Sequence, residues 1–234
     1  MSPREHRADP GDLSWLGIEW EEPVRIQSEH RAEFAETAET LSARGFLYPC
    51  FCTRKDILRE IERAGQAPHG SEGPLYPGTC RSLGEDERSS RIAEGAPHAL
   101  RLDLGRALSS IEGELTWHDS HRGEQLARPE LLGDAVIVRK DIGTSYHLAV
   151  VHDDGLQEIT DIVRGVDLFD STHLHRVLQA LLGLPVPVYH HHQLLTDEAG
   201  NRLAKRDKAI TLKSLRESGL TANELRKDLG FHPA

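Results

Sequence analysis

Arg202-Leu203-Ala204-Lys205-Arg206 follows the apolar stretch Val186 to Leu195 and the turn-forming residues Asp197-Glu198-Ala199-Gly200-Asn201. A strand candidate that delivers a glycine-led basic loop reads as one half of an ATP-handling site. Clustered guanidinium and ammonium groups neutralise a triphosphate and the charge that builds as pyrophosphate leaves. The motif is short, and its meaning depends on what stands before it.

Upstream of the loop, Ser171 to Leu182 carries Leu174, Val177, Leu178 and Leu181 at helical spacing, with Asp170 or Ser171 as N-cap and Gly183 as the stop. Strand candidates precede it at His98 to Leu104, Ala135 to Arg139 and His147 to His152, the last ending at a turn Asp153-Asp154-Gly155. Glu158 to Val163 alternates weakly and reads as a further strand or the approach to one. Downstream, Thr211 to Glu217 and Thr221 to Leu229 read as short helices, the second opened by a capping box of Thr221 with Glu224. Near the front, Glu29 to Arg44 has apolar positions at Phe34, Ala38 and Leu41 and a stop at Gly45. The alternation of strand and helix predicts an α/β fold with a mostly parallel sheet.

The 234 residues suffice for a sizeable core. No run approaches the roughly 18 apolar residues of a membrane span, so no membrane partner is expected. The first residues resemble neither a signal nor a transit peptide, which predicts a cytoplasmic location. A formal charge of -10 argues against indiscriminate nucleic-acid binding. It leaves room for a local basic patch at Arg202, Lys205, Arg206 and Lys208. Lys213, Arg216, Arg226 and Lys227 extend it, although a solvated helix face of mixed charge accounts for these four equally well.

Cys50-Phe51-Cys52 and Tyr76-Pro77-Gly78-Thr79-Cys80 bring three thiols into a loop-rich segment that reads as an insertion. Zinc would give such a segment folding energy it cannot draw from apolar burial, and three buried free cysteines fit the pattern as well. By ligand chemistry His69 is the orthodox fourth donor and Tyr76 an unusual one. Tyr146 and Arg164 each flank a strand candidate. A guanidinium among Asp161, Gly165 and Asp167 suits bidentate capture of a carboxylate, while spacing alone favours an internal Arg–Asp ion pair. His190-His191-His192 does not read as a metal site, since strand neighbours point to opposite faces and only His190 and His192 share one. No Gly-x-Ser-x-Gly elbow occurs.

Together these residues resemble the glutamyl-Q tRNA(Asp) synthetases, paralogues of glutamyl-tRNA synthetase that consist of the class I catalytic domain. The resemblance runs over nearly the whole chain. It implies a class I Rossmann-like parallel sheet, N-terminally truncated, with a zinc-containing insertion and a short helical C-terminal region. The implied division is 1–48 and 131–210 for the two halves of the catalytic domain, 49–130 for the insertion and 211–234 for the helical end. It assigns zinc to Cys50, Cys52, Tyr76 and Cys80, thereby preferring Tyr76 to His69, and glutamate to Tyr146 and Arg164. The basic loop matches the family's Lys-Met-Ser-Lys-Ser loop, with Arg202 and Lys205 on ATP and with Lys205 and Arg206 stabilising pyrophosphate. It departs from that motif at Arg202 and Ala204. No His-x-Gly-His turn occurs, and the resemblance places that turn and its strand and helix before Met1. The implied activity is ATP- and magnesium-dependent activation of L-glutamate and its transfer to queuosine in tRNA(Asp) by a monomer. The alternatives are a zinc-supported tRNA-binding remnant and a fragment of ordinary glutamyl-tRNA synthetase.

Overall fold

The computed structural model describes residues 10–64, 69–70, 73–196 and 211–231, with the backbone alone at 10, 61–64, 69, 70, 73 and 74. In chain order the elements are α1 (Pro10–Trp15), α2 (Arg31–Ala43), β1 (Leu47–Cys50), α3 (Arg54–Ala64), β2 (His69–Gly70), β3 (Gly73–Pro74), α4 (Glu85–Ala93), β4 (Ala99–Leu102) and α5 (Leu104–Ser109). Then come β5 (Thr116–Asp119), β6 (Gly123–Leu126), β7 (Val136–Val138), α6 (Tyr146–Leu156), β8 (Asp161–Gly165), α7 (Ser171–Leu182), β9 (Val188–His192), α8 (Leu212–Glu217) and α9 (Ala222–Asp228). The chain divides into two compact units, Gln27–Gln193 and the two ends, Met1–Ile26 with Leu194–Ala234. Among the described residues no helix is long and apolar enough to cross a membrane.

In the larger unit a four-stranded sheet runs β6-β5-β9-β8 and a three-stranded sheet runs β1-β4-β7. Strand β9 pairs in parallel with both β5 and β8, whereas β5–β6, β1–β4 and β4–β7 are antiparallel. The architecture is therefore mixed α/β, with its parallel pairs gathered around β9, rather than mostly parallel. The expectation went too far because β5 and β6 were not legible. Thr116 to Leu126 is polar along most of its length, and its pairing, not its hydropathy, makes it a hairpin.

Beside the sheets, Phe34 and Leu41 of α2, Leu102 of β4, Ile137 of β7, Leu148 and Val151 of α6, and Leu174, Val177, Leu178 and Leu181 of α7 form one apolar core. Helix α7 matches its expected span, closed by Gly183 in the left-handed conformation at φ 66°, where a side chain would be strained. Helix α6 corrects the expected strand at His147 to His152. Val150 and Val151 in a short apolar run suit either element, but Ser145 caps a helix by accepting from the Leu148 N–H. Asp153-Asp154-Gly155 is then the last turn of that helix. A Cβ on Gly155 would lie 2.8 Å from Leu184 Cδ2, so this glycine permits close approach and makes no turn.

In the smaller unit, α8 and α9 begin at Thr211 and Thr221, each with a capping box. Arg216 binds the Gly11 carbonyl at 2.9 Å and Asp12 at 3.1 Å, and Arg226 donates to the Leu16 carbonyl. These contacts tie α1 to the two C-terminal helices.

Candidate active site

Strand β8 alternates, with Asp161 and Val163 exposed and Ile162 and Arg164 turned inward. Its parallel register sets Arg164 directly against His191 of β9, so both side chains leave the same face of the sheet. Helix α6 begins at Tyr146 and brings its ring to that face. The sequence-expected pair thus meets: Arg164 Nη1 donates to Tyr146 Oη at 3.4 Å.

All three guanidinium nitrogens of Arg164 are engaged. Nε donates to His191 Nε2 at 3.0 Å, Nη1 also faces His175 Nδ1 at 3.2 Å, and Nη2 donates to Thr172 Oγ1. Beneath it lies the Tyr189 ring, 5.1 Å from the guanidinium carbon. The Arg164 guanidinium is held by histidine, threonine and tyrosine, where an Arg–Asp pair was the simplest reading of spacing. Tyr146, 45% exposed, is its open side.

Burial depresses the basicity of both histidines behind the arginine. His175 falls well below the ordinary histidine value through burial and the nearby Arg164 charge. His191 is also lowered by burial, against the opposing pull of Asp119. Neutral imidazoles suit the site, because each must accept a hydrogen bond from a cation. The sequence reading missed His191, Asp119, His175 and Thr172. Strand alternation was the available signal for His191: it is buried, whereas His192 is exposed and His190 pairs with Asp161 at 2.8 Å on the other face.

The cysteine cluster is a second centre. Cys50 ends β1 and Cys52 follows it. The Tyr76 to Cys80 loop closes over them, and the three Sγ atoms lie within 4.8 Å of one another. Sulfurs around tetrahedral zinc, with Zn–S near 2.3 Å, stand about 3.8 Å apart, so the set fits a thiophilic ion. Tyr76 Oη lies 3.6 Å from Cys52 Sγ and accepts from the Cys80 N–H at 2.8 Å. The phenol therefore borders the three thiols. Burial pushes the Cys52 thiol up to about 11 and raises the Tyr76 phenol as well.

The surroundings of this cluster are cationic. Arg101 lies over the Tyr76 ring at 3.9 Å, and Lys140 donates to the carbonyls of Phe51 and Cys52 at 3.1 Å each. Asp134 ties the cluster to the sheet by accepting from Tyr48 at 2.6 Å and Arg81 at 3.0 Å. His69 lies in β2, and its side chain is outside the described residues. Arg202, Lys205 and Arg206 also lie outside them.

Residues 6–230 match the family described as tRNA synthetases class I (E and Q), catalytic domain. The chain is 43% identical over 225 residues to the glutamyl-Q tRNA(Asp) synthetase of Rhodobacter capsulatus, covering 94% of this chain and 80% of that one. It is 41% identical over 226 residues to that of Nocardia farcinica, covering 95% and 68%. Among solved structures, a glutamate tRNA ligase from Elizabethkingia meningosepticum in complex with its amino acid superposes with a TM-score of 0.65 at 26% identity. The glutamate-tRNA synthetase of Elizabethkingia anophelis gives 0.67 at 26%. Each match covers 84% of this chain and 41% of the solved one, so the chain spans about two fifths of their length. With nearly the whole sequence matched and a mixed α/β fold to accompany it, the chain belongs to the class I (E and Q) tRNA synthetase catalytic-domain family, in the group of the glutamyl-Q tRNA(Asp) synthetases.

Proposed function

We propose that this chain activates L-glutamate with ATP and transfers it to queuosine in tRNA(Asp). The observation that carries the reading is the caged Arg164 beside Tyr146 on a class I synthetase fold, an arrangement whose chemistry suits a carboxylate. Arg164 and Tyr146 hold a carboxylate of glutamate. A glutamate α-carboxylate oxygen attacks the α-phosphorus of magnesium-bound ATP, an acyl-phosphate bond forms, and pyrophosphate leaves. Lys205 and Arg206, with Arg202 on ATP, neutralise the charge that grows on the departing group. A hydroxyl of the acceptor nucleoside then attacks the activated carbonyl and AMP departs. Cys50, Cys52, Cys80 and Tyr76 would hold zinc, which would supply folding energy to the insertion.

The test has two stages. Glutamate-dependent exchange of pyrophosphate into ATP by the full-length protein, lost on Arg164→Ala, establishes activation. Labelled glutamate appearing on queuosine-containing tRNA(Asp), and not on the same tRNA lacking the modified base, establishes the acceptor. Exchange without that discrimination would return the chain to the glutamyl-tRNA synthetase reading.

A further inference from the structure

Asp119, His191 and Arg164 stand in line on three neighbouring strands. The parallel register pairs Asp119 of β5 with Tyr189 of β9, and Arg164 of β8 with His191 two residues further along β9. Asp119 Oδ2 lies 2.7 Å from His191 Nδ1, and both side chains are 0% exposed. Asp119 Oδ1 accepts from the backbone N–H groups of His121 and Arg122, each at 3.0 Å. Burial alone would raise this carboxyl, but the bonds from His191 and the two amides outweigh it and hold the carboxyl below its ordinary value.

These contacts dictate where the imidazole proton sits. An ionised carboxylate only accepts, so His191 Nδ1 must donate to it. A guanidinium only donates, so His191 Nε2 must accept from Arg164 Nε. Both ends require the same neutral tautomer. We infer that Asp119 and His191 are positioning residues that lock the Arg164 guanidinium plane for a carboxylate ligand by fixing His191 as the Nδ1–H tautomer. This rests on the reading of Arg164 as the glutamate-binding arginine.

Orientation is needed because an arginine left to choose among rotamers loses affinity when a ligand must immobilise it. The opposite edge of the guanidinium is fixed in the same manner. His175 Nδ1 accepts from Nη1, leaving its Nε2–H to face His147 Nδ1 at 3.1 Å. The sheet-side anchor is the more sensitive of the two, since it depends on a carboxylate whose other oxygen is already committed.

Asp119→Asn tests this with almost no change of shape. Its carbonyl oxygen can keep the two backbone N–H groups, and its amide N–H then faces His191 Nδ1. The proton is driven to Nε2, where it opposes the Arg164 N–H. Glutamate dissociation constants measured by calorimetry should rise about 10- to 100-fold, the same size as the loss seen when the hydrogen-bond partner behind a metal-ligating side chain is altered, while ATP affinity stays unchanged. Adding His191→Gln, whose amide oxygen can accept from Arg164 whatever occupies position 119, should recover most of the loss, which a merely structural role would not do. Long-range proton–nitrogen NMR of the unsubstituted protein should show His191 protonated at Nδ1. An Nε2–H tautomer, or unaltered glutamate binding by Asp119→Asn, overturns the inference. If the unsubstituted protein binds no glutamate, the proposed function fails instead, and the tautomer alone judges the relay.

Discussion

Arg164 donates through Nε to His191 Nε2 at 3.0 Å, which ties the arginine to the neighbouring strand. Its remaining nitrogens reach Thr172 and His175 of α7 and Tyr146 of α6. One side chain therefore joins a strand to two helices.

Arg164→Lys keeps the charge and loses the fork. A lysine ammonium cannot satisfy His191, Thr172 and His175 together from one point. Glutamate binding should weaken by about 10- to 100-fold, the loss of one to two charge-assisted hydrogen bonds. Calorimetric titration checks it, and equal affinity for Lys and Arg would show that the fork is not used.

Zinc removal should unfold the insertion and leave the main core folded. Cys80→Ser replaces a soft donor at a position where three sulfurs converge. Elemental analysis is expected to give one zinc per unsubstituted chain and a clear reduction in the variant. Thermal unfolding should begin earlier, because ion binding and folding of this segment are linked. A zinc-free unsubstituted protein with an unchanged melting curve would defeat the assignment.

Gly155→Ala should destabilise although it lies in a helix. Alanine normally gains up to about 1 kcal/mol over glycine there. The new Cβ would meet Leu184 at Cδ2, Cδ1 and Cγ, at 2.8, 3.0 and 3.3 Å. Displacing a packed leucine costs about 1–3 kcal/mol, so the net change should be a loss. In a Leu184→Ala background the same substitution should become neutral or stabilising, as urea unfolding would show.

Asp154 and His175 give stability opposite pH slopes. Burial pushes the Asp154 carboxyl up to about 6 from 3.8, with Arg164 opposing and Asp153 assisting. Its stabilisation is full below the unfolded value and lost as pH rises through about 6. His175, depressed by burial, contributes stability that is full above about 6.5 and lost as pH falls toward its folded value. Asp154→Asn should therefore raise stability at pH 8 by on the order of 1 kcal/mol once solvent screening is allowed for. The gain should shrink toward pH 5. Urea midpoints from pH 5 to 8 check it, and a gain independent of pH would rule out ionisation as the cause.

Elements with their own punctuation were legible in the sequence. Helix α7 announces itself by apolar spacing and a terminal glycine, and α9 by its capping box. Strands β4, β7 and β9 fall inside the expected stretches. Tyr146 and Arg164 were found as a pair, yet Tyr146 was set before a strand when it begins a helix. A short apolar run with valines satisfies both periods, and packing against α7 decides between them.

The sequence by itself determined the family pattern, the cysteine spacing and the pairing of Tyr146 with Arg164 as candidate site residues. Those depend on residue identity and spacing along the chain. Only the tertiary structure decided the mixed strand order, the helical state of α6 and the partners of Arg164. Asp119 and His191 lie 72 positions apart and meet at 2.7 Å because β5 and β8 flank β9. Local preference carries no information about which distant strands will share backbone hydrogen bonds, and that pairing places the carboxylate, the imidazole and the guanidinium in one line.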